Sequence, residues 1–228
     1  VYELFIGNKN YSSWSLRPWV LMRERGIDFQ ERLLVFGDEQ SWGPFRAVSG
    51  ASKVPCLRDG ARVVWDSLAI VEYLAERHAG VWPADEDARA WARSAAAEMH
   101  SSFSALRSKC SMSCGVRVTL HEHPDGLKRD LARVDALWRE GLARFGGPFL
   151  AGAELSAVDA FFAPVAFRVQ TYGLSLSPEA MAYVARLLAL PSMVQWYQAA
   201  LQEPFRDEPY EAEIREAGTW TADLRTTR

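Results

Sequence analysis

The sequence predicts an α/β domain with the element order β-α-β-α-β-β-α, followed by an all-helical domain. Three observations carry that expectation. Short apolar runs alternate with helical segments over roughly the first eighty residues, an Asp59-Gly60 pair sits between two such runs, and beyond Gly80 the periodicity is helical throughout. A chain of 228 residues exceeds one small domain, and two modest ones suit its length. The first domain is expected at residues 1–80 and the second at 86–228, joined by a linker at 81–85 that contains Pro83.

Tyr2 to Ile6 is the first strand, ended by the Gly7-Asn8 turn signal. A helix follows from Ser13 or Ser15 to Arg25, stopped by Gly26. Pro18 favours Ser15 as its N-cap, because proline is best placed in a first turn; a start at Ser13 makes that turn irregular. Phe29 to Val35 reads as the second strand. Gly37 to Gly50, broken by Gly43 and Pro44, reads as a loop with a short irregular helix. Val54 to Arg58 and Val63 to Trp65 form a hairpin across Asp59-Gly60. Ser67 caps a helix running to Ala79, with Leu68, Val71, Leu74 and Ala75 on one face. A crossover-linked strand pair followed by a hairpin is the thioredoxin-like arrangement.

In the second domain the candidate helices are Glu86 to Lys109, Leu127 to Phe145, Ala157 to Tyr172, Pro178 to Leu190 and Ser192 to Leu201. Beyond Glu203 the charged, Pro-containing tail reads as a surface wrap or a partly disordered segment. Ser156 with Asp159 three residues on has capping-box spacing, a folding role with a contribution of ~1 kcal/mol.

Composition narrows the function classes. With 49% hydrophobic and 24% charged residues the chain can bury a sizeable core. A net charge of -3, with basic and acidic residues interspersed, gives no stripe for nucleic acid. No apolar stretch approaches the ~20 residues of a membrane-spanning helix, and Val1-Tyr2-Glu3-Leu4 lacks signal-peptide regions, so a soluble cytoplasmic protein is expected. The three cysteines, Cys56, Cys110 and Cys114, suit a reducing compartment. Cys110 and Cys114 with His121 and His123 resemble metal-finger spacing, but the second pair is too close; a helix end and a loop are expected there, and no metal. The nine tryptophans are expected in the core and in pocket walls.

Three segments carry candidate chemistry. In Tyr11-Ser12-Ser13-Trp14-Ser15-Leu16-Arg17-Pro18 a single N-cap leaves hydroxyls over. Ser12 then stands on the loop ahead of a helix, where backbone N–H groups and the dipole favour an anion such as a thiolate. In Lys53-Val54-Pro55 a cis bond would turn the Val54 backbone outward to pair with a peptide ligand, and the sequence leaves the isomer open. In Trp65-Asp66-Ser67 a helix end holds a carboxylate while the adjacent Asp pairs with an ammonium, the two charges of a γ-glutamyl group.

In that order and spacing these segments, with Asp66-Ser67-Leu68-Ala69-Ile70 and the Gly152 to Asp159 stretch, resemble the glutathione transferase superfamily. The Ser-Ser-x-Ser-x-Arg run looks most like the zeta class and related bacterial serine-type enzymes. The resemblance implies a cytoplasmic, homodimeric detoxification enzyme that uses glutathione as co-substrate, with no prosthetic group. It assigns the glutathione thiolate to Ser12, with Ser13, Ser15 and Tyr11 as competitors. It assigns the cysteinyl backbone to Val54 ahead of a cis Pro55, the γ-glutamyl end to Asp66 and Ser67, and the glycyl carboxylate to Lys53. The electrophile pocket falls on Trp14, Phe103, Arg107, Arg168 and Tyr172, with His100 and Phe167 nearby: aromatic walls suit an apolar electrophile, arginines an anionic one. Isomerisation of maleylacetoacetate is the alternative activity. Against it, Trp14 stands where the zeta class has a cysteine and Thr171 where it has its substrate-binding arginine; Arg168, one turn earlier, is the candidate substitute. A non-catalytic glutathione-binding module is a further alternative. A thiol-disulfide reductase needs a cysteine at the first helix, and positions 11 to 15 contain none.

Overall fold

The computed structural model describes residues 1–36, 43, 46 and 48–226. The N-terminal part comprises β1 (Tyr2–Ile6), α1 (Ser13–Glu24), β2 (Phe29–Leu33), β3 (Cys56–Asp59), β4 (Arg62–Val64) and α2 (Ser67–Ala75). The four strands form one sheet in the order β2-β1-β3-β4. β1 and β2 are parallel, with Tyr2 opposite Phe29 and Ile6 opposite Leu33, so they need the crossover that α1 provides. β3 runs antiparallel to both β1 and β4. Strand alternation sends Leu4 and Ile6 toward α1 and α2, while Phe5 packs with Cys56 and Val48 in a separate small cluster. Gly60, at φ +59°, supplies the left-handed residue of the β3–β4 turn.

Three expectations here are corrected. α1 begins at Ser13, with Ser12 rather than Ser15 in the cap position, and the Ser12 hydroxyl makes no cap bond. Pro18 therefore lies in the second turn, where its missing N–H forfeits one helical bond. At α2 the cap is Asp66, whose carboxylate accepts the Leu68 N–H at 3.0 Å, and Ser67 is the first helical residue. α2 also stops at Ala75; Arg77 and His78 both turn back to the Leu74 carbonyl, which leaves His78 bonded to the Tyr2 hydroxyl at 3.0 Å. The short helix expected within 37–50 falls mostly outside the described residues; Gly43, Arg46 and Val48 are helical.

From Glu86 onward the chain forms α3 (Glu86–Ser101), α4 (Ser104–Lys109), β5 (Val116–Leu120), α5 (Asp125–Phe145), α6 (Ala157–Tyr172), α7 (Pro178–Leu188), α8 (Pro191–Gln202), α9 (Glu208–Ala217) and β6 (Gly218–Asp223). The expected helix from 86 to 109 is two helices. The break is at Phe103, which takes a left-handed conformation (φ +60°) and buries its ring in the core. The tail is not a loose wrap: Asp207 caps α9, and β6 pairs antiparallel with β5. That pairing also overturns the expectation that every element after Gly80 is helical. Gly218 allows it, because a Cβ there would collide with the Thr119 backbone. Among the described residues no helix is long and apolar enough to cross a membrane.

α6 is the central helix, with every residue except Gln170 buried, and it packs against α1, α3 and α7. Asp159, in its first turn, is fully buried and does more than complete a capping box. Its carboxylate accepts the Leu150 N–H (2.9 Å), the Ser156 N–H (2.9 Å) and the Tyr183 hydroxyl (2.7 Å). Each donor left unpaired costs about 1–3 kcal/mol. Asp159→Ala is expected to lower unfolding stability in denaturant by about 3 kcal/mol or more. Asp159→Asn, which keeps one acceptor oxygen, should lose less.

Candidate functional site

A cleft of about 1290 Å³ opens where the β1–α1 loop, the stretch before β3 and the α2 cap face α4, α6 and α9. It exceeds the roughly 300–1,000 Å³ of an ordinary small-molecule site, leaving room for a tripeptide and a second molecule. Ser12, Lys53, Val54 and Asp66 line one part, and Trp14, Arg107 and Arg168 line another.

The serines separate by environment. Ser15 is fully buried; its oxygen accepts the Gly7 N–H at 3.1 Å and is bonded to the Ser12 hydroxyl at 2.7 Å. Ser12 and Ser13 reach the cleft, and Ser15 does not. Tyr11 also borders the cleft, but its proton is committed. The hydroxyl donates to Glu211 Oε1 at 2.5 Å and accepts from Arg225 at 3.1 Å. Burial, then the bond to Glu211, drives its pKa well above the ordinary phenol value. Ser12 thus presents a hydroxyl beside the start of α1, where the helix dipole favours an anion.

The Val54–Pro55 bond is cis. Lys53 is exposed at the rim. Asp66 keeps Oδ1 on the cap while Oδ2 stands 3.4 Å from His100 Nε2. Ser67 does not reach the cleft surface; it is fully buried, and Arg17 donates to its oxygen at 3.4 Å.

At the other end the expected aromatic walls do not form. Phe103 and Phe167 are buried in the core, as is Tyr172, whose hydroxyl donates to the Ser111 carbonyl at 2.7 Å. Trp14 lines the cleft, but Arg17 and Arg107 lie over its ring at 4.1 and 4.2 Å, and His100 meets it edge-on. What faces this end is mostly hydroxyl and cation, Ser104, Ser108 and Ser111 with Arg107 and Arg168, together with Tyr210 and the Asp207 carboxylate that caps α9. Among the described residues, Arg17, Arg107 and Arg168 bond to carbonyls and a hydroxyl rather than to carboxylates. Burial lowers all three pKa values, and repulsion from the neighbouring guanidiniums lowers those of Arg17 and Arg107 further. The cleft therefore holds positive charge that an anion would relieve.

The cysteines offer no nucleophile. Burial pushes the Cys56 thiol up to about 11 and the Cys110 thiol up to about 12. Cys110 ends α4 and Cys114 precedes β5, while His121 bonds to Thr219. No group of three His, Cys, Asp or Glu among the described residues is placed to hold a metal.

Sequence reasoning missed the role of Arg17, although it closes the serine motif, and it missed Glu211, Arg225, Asp207 and Tyr210. All four of the latter lie in the tail, where only polar composition was legible.

Residues 11–77 match the glutathione S-transferase N-terminal domain model, and residues 117–199 match the C-terminal domain model. A probable maleylacetoacetate isomerase of Caenorhabditis elegans is 25% identical over 176 residues, covering 73% of this chain and 79% of the relative. A zeta-class glutathione S-transferase of Euphorbia esula is 28% identical over 157 residues, covering 67% and 70%. The crystal structure of a glutathione transferase homologue from Burkholderia GL BGR1, with bound glutathione, superposes with a TM-score of 0.66 at 25% identity, covering 87% of this chain and 97% of that one. The two domain models together span well over half of the sequence, in the order the family requires, and the chain belongs to the glutathione S-transferase family.

Proposed function

We propose that the chain is a serine-type glutathione transferase in which Ser12 stabilises the glutathione thiolate for attack on a small anionic electrophile. One observation carries the reading: of the two serines at the start of α1 that line the cleft, Ser12 has the buried Ser15 hydroxyl behind it. Two hydroxyls can exchange donor and acceptor roles. Ser12 Oγ donates to Ser15 Oγ here; with a sulfur bound, Ser15, fixed by the Gly7 N–H, would donate back and the Ser12 proton would turn to the sulfur. A thiol with an ordinary value near ~8.5 is then drawn toward neutrality by that bond and by the helix end. The thiolate attacks the electrophilic carbon, a C–S bond forms, and the displaced group leaves with its electron pair.

Residues 1–80 supply the glutathione side. Val54 pairs with the cysteinyl backbone, Asp66 holds the γ-glutamyl ammonium, the α2 N-terminus holds its carboxylate with Ser67 buried behind it, and Lys53 reaches the glycyl carboxylate. Residues 86–228 supply the electrophile side. Arg107 and Arg168, which bond to no carboxylate among the described residues, support a carboxylate-bearing substrate, and the guanidinium groups over Trp14 disfavour stacking of an apolar ring. Isomerisation of a dicarboxylate such as maleylacetoacetate is the second reading, supported by that same charge and by the worm relative. Thr171, where the zeta class has its arginine, is buried and bonded to the Ser113 carbonyl at 2.6 Å, leaving Arg168 for the task. Three unpaired, buried cysteines support a reducing, cytoplasmic setting, and the family resemblance supports a homodimer engaged in detoxification.

Ser12→Ala is expected to bind glutathione within a few-fold of wild type, lose the thiolate absorbance near neutral pH and lower turnover by about 100-fold or more. Because Ser12 favours the charged form, the wild-type profile should reach its plateau at lower pH than the variant. Full turnover in Ser12→Ala with loss in Ser13→Ala would shift the role by one residue, and binding by wild type without turnover would favour a non-catalytic glutathione-binding module. For the second site, Arg107→Gln should raise KM for a carboxylate electrophile about tenfold while leaving its methyl ester unaffected. Equal effects on acid and ester would contradict an anionic substrate.

A further inference from the structure

The loop from Gly7 to Ser12 carries the proposed catalytic hydroxyl, yet it belongs to neither β1 nor α1. Within itself it is closed by the Asn8 carbonyl, which accepts from Tyr11 and Ser12. Three of its outward donors go to the C-terminal tail, while the Gly7 N–H goes to Ser15, the Lys9 ammonium to Glu31 and the Asn10 amide to the Ala200 carbonyl. Glu203 accepts the Lys9 N–H at 2.9 Å and the Asn10 N–H at 3.4 Å, and Glu211 accepts the Tyr11 hydroxyl. Arg225 bonds to both Glu211 and Tyr11, and Asp223 on β6 holds its guanidinium from the other side. The Glu211 and Arg225 side chains are 3% and 2% exposed. Such burial is costly for an ion pair, and a solvent-facing tail does not require it.

We propose that residues 203–226 form a strap that positions the Ser12 hydroxyl, with Glu203, Glu211 and Arg225 as positioning residues acting through the Gly7–Ser12 loop. This rests on the Ser12 reading above. A donor must stand within about 0.5 Å of its productive position to stabilise developing charge. Two buried carboxylates, each with two acceptor oxygens, fix the loop at Lys9, Asn10 and Tyr11, and Ser12 follows directly. The residues proposed for the rest of glutathione lie on other elements, before β3 and at the α2 cap. Loosening the strap therefore separates thiolate stabilisation from glutathione affinity.

The test uses the full chain and glutathione, measuring affinity by calorimetry and the bound thiol's pKa by thiolate absorbance. Tyr11→Phe leaves the Glu211–Arg225 pair intact and so guards against loss of folding; Glu203→Gln removes one carboxylate oxygen. Both are expected to keep affinity within about threefold, raise the bound thiol pKa and lower kcat by about tenfold to 100-fold. In a Ser12→Ala background, Tyr11→Phe should change the thiol pKa no further, because its effect passes through Ser12. The proposal is overturned if both single variants retain the wild-type thiol pKa, or if Tyr11→Phe shifts it equally with and without Ser12. A wild type that binds glutathione without forming thiolate overturns the Ser12 reading itself, before any strap variant is made.

Discussion

Everything at this site depends on the loop that carries Ser12. Gly7 to Ser12 leaves β1 and enters α1 closed by the Asn8 carbonyl and held by Ser15, Glu31 and Phe36 of the N-terminal part, and much of its remaining bonding crosses to the helical part. Besides the tail carboxylates, Trp196 donates to the Lys9 carbonyl at 2.8 Å, Gly115 donates to Asn10 Oδ1, and Asn10 donates to the Ala200 carbonyl. The helical part therefore orders the residues that would handle the thiolate as well as closing the second-substrate end of the cleft.

Charge explains the other half of the cleft. Arginines in a protein interior ordinarily meet carboxylates, because an unpaired guanidinium is expensive to bury. Arg168 is 3% exposed and, among the described residues, bonds to carbonyls alone, and Arg17 is equally enclosed against Trp14 and Phe161. Their mutual repulsion is a standing cost that a bound anion removes. The carboxylates proposed for glutathione fall to Lys53 and the α2 N-terminus, which leaves Arg107 and Arg168 in the cleft for a second anion. Trp14, on sequence grounds a wall for an apolar substrate, instead serves as the surface on which two of these cations stack.

Much of the fold was legible because its determinants are local. Alternation located β1, Asp59-Gly60 located the hairpin, and helical periodicity with Gly and Pro punctuation located α5 to α8 to within a few residues. What escaped notice depends on distant partners. Phe103 breaks a helix because its ring is wanted in the core, and nothing in its neighbours announces that. β6 is a strand only because β5 offers an edge, and the tail's polar composition conceals the pairing. The same holds at the site: Ser12 and the Asp66-Ser67 pair stand out by spacing, whereas Ser67 proves buried and Asp66 takes the cap. Phe103 and Tyr172 carry the right chemistry for a pocket wall but point into the core.

The central claim is that Ser12, rather than Ser13 or Tyr11, meets the sulfur of glutathione. A crystal structure of the glutathione complex at neutral pH tests it most directly. The account predicts the sulfur within hydrogen-bonding distance of Ser12 Oγ, with Ser15 still on the Gly7 N–H and Tyr11 still on Glu211. A sulfur seated on Ser13, or on a Tyr11 hydroxyl released from Glu211, would contradict it.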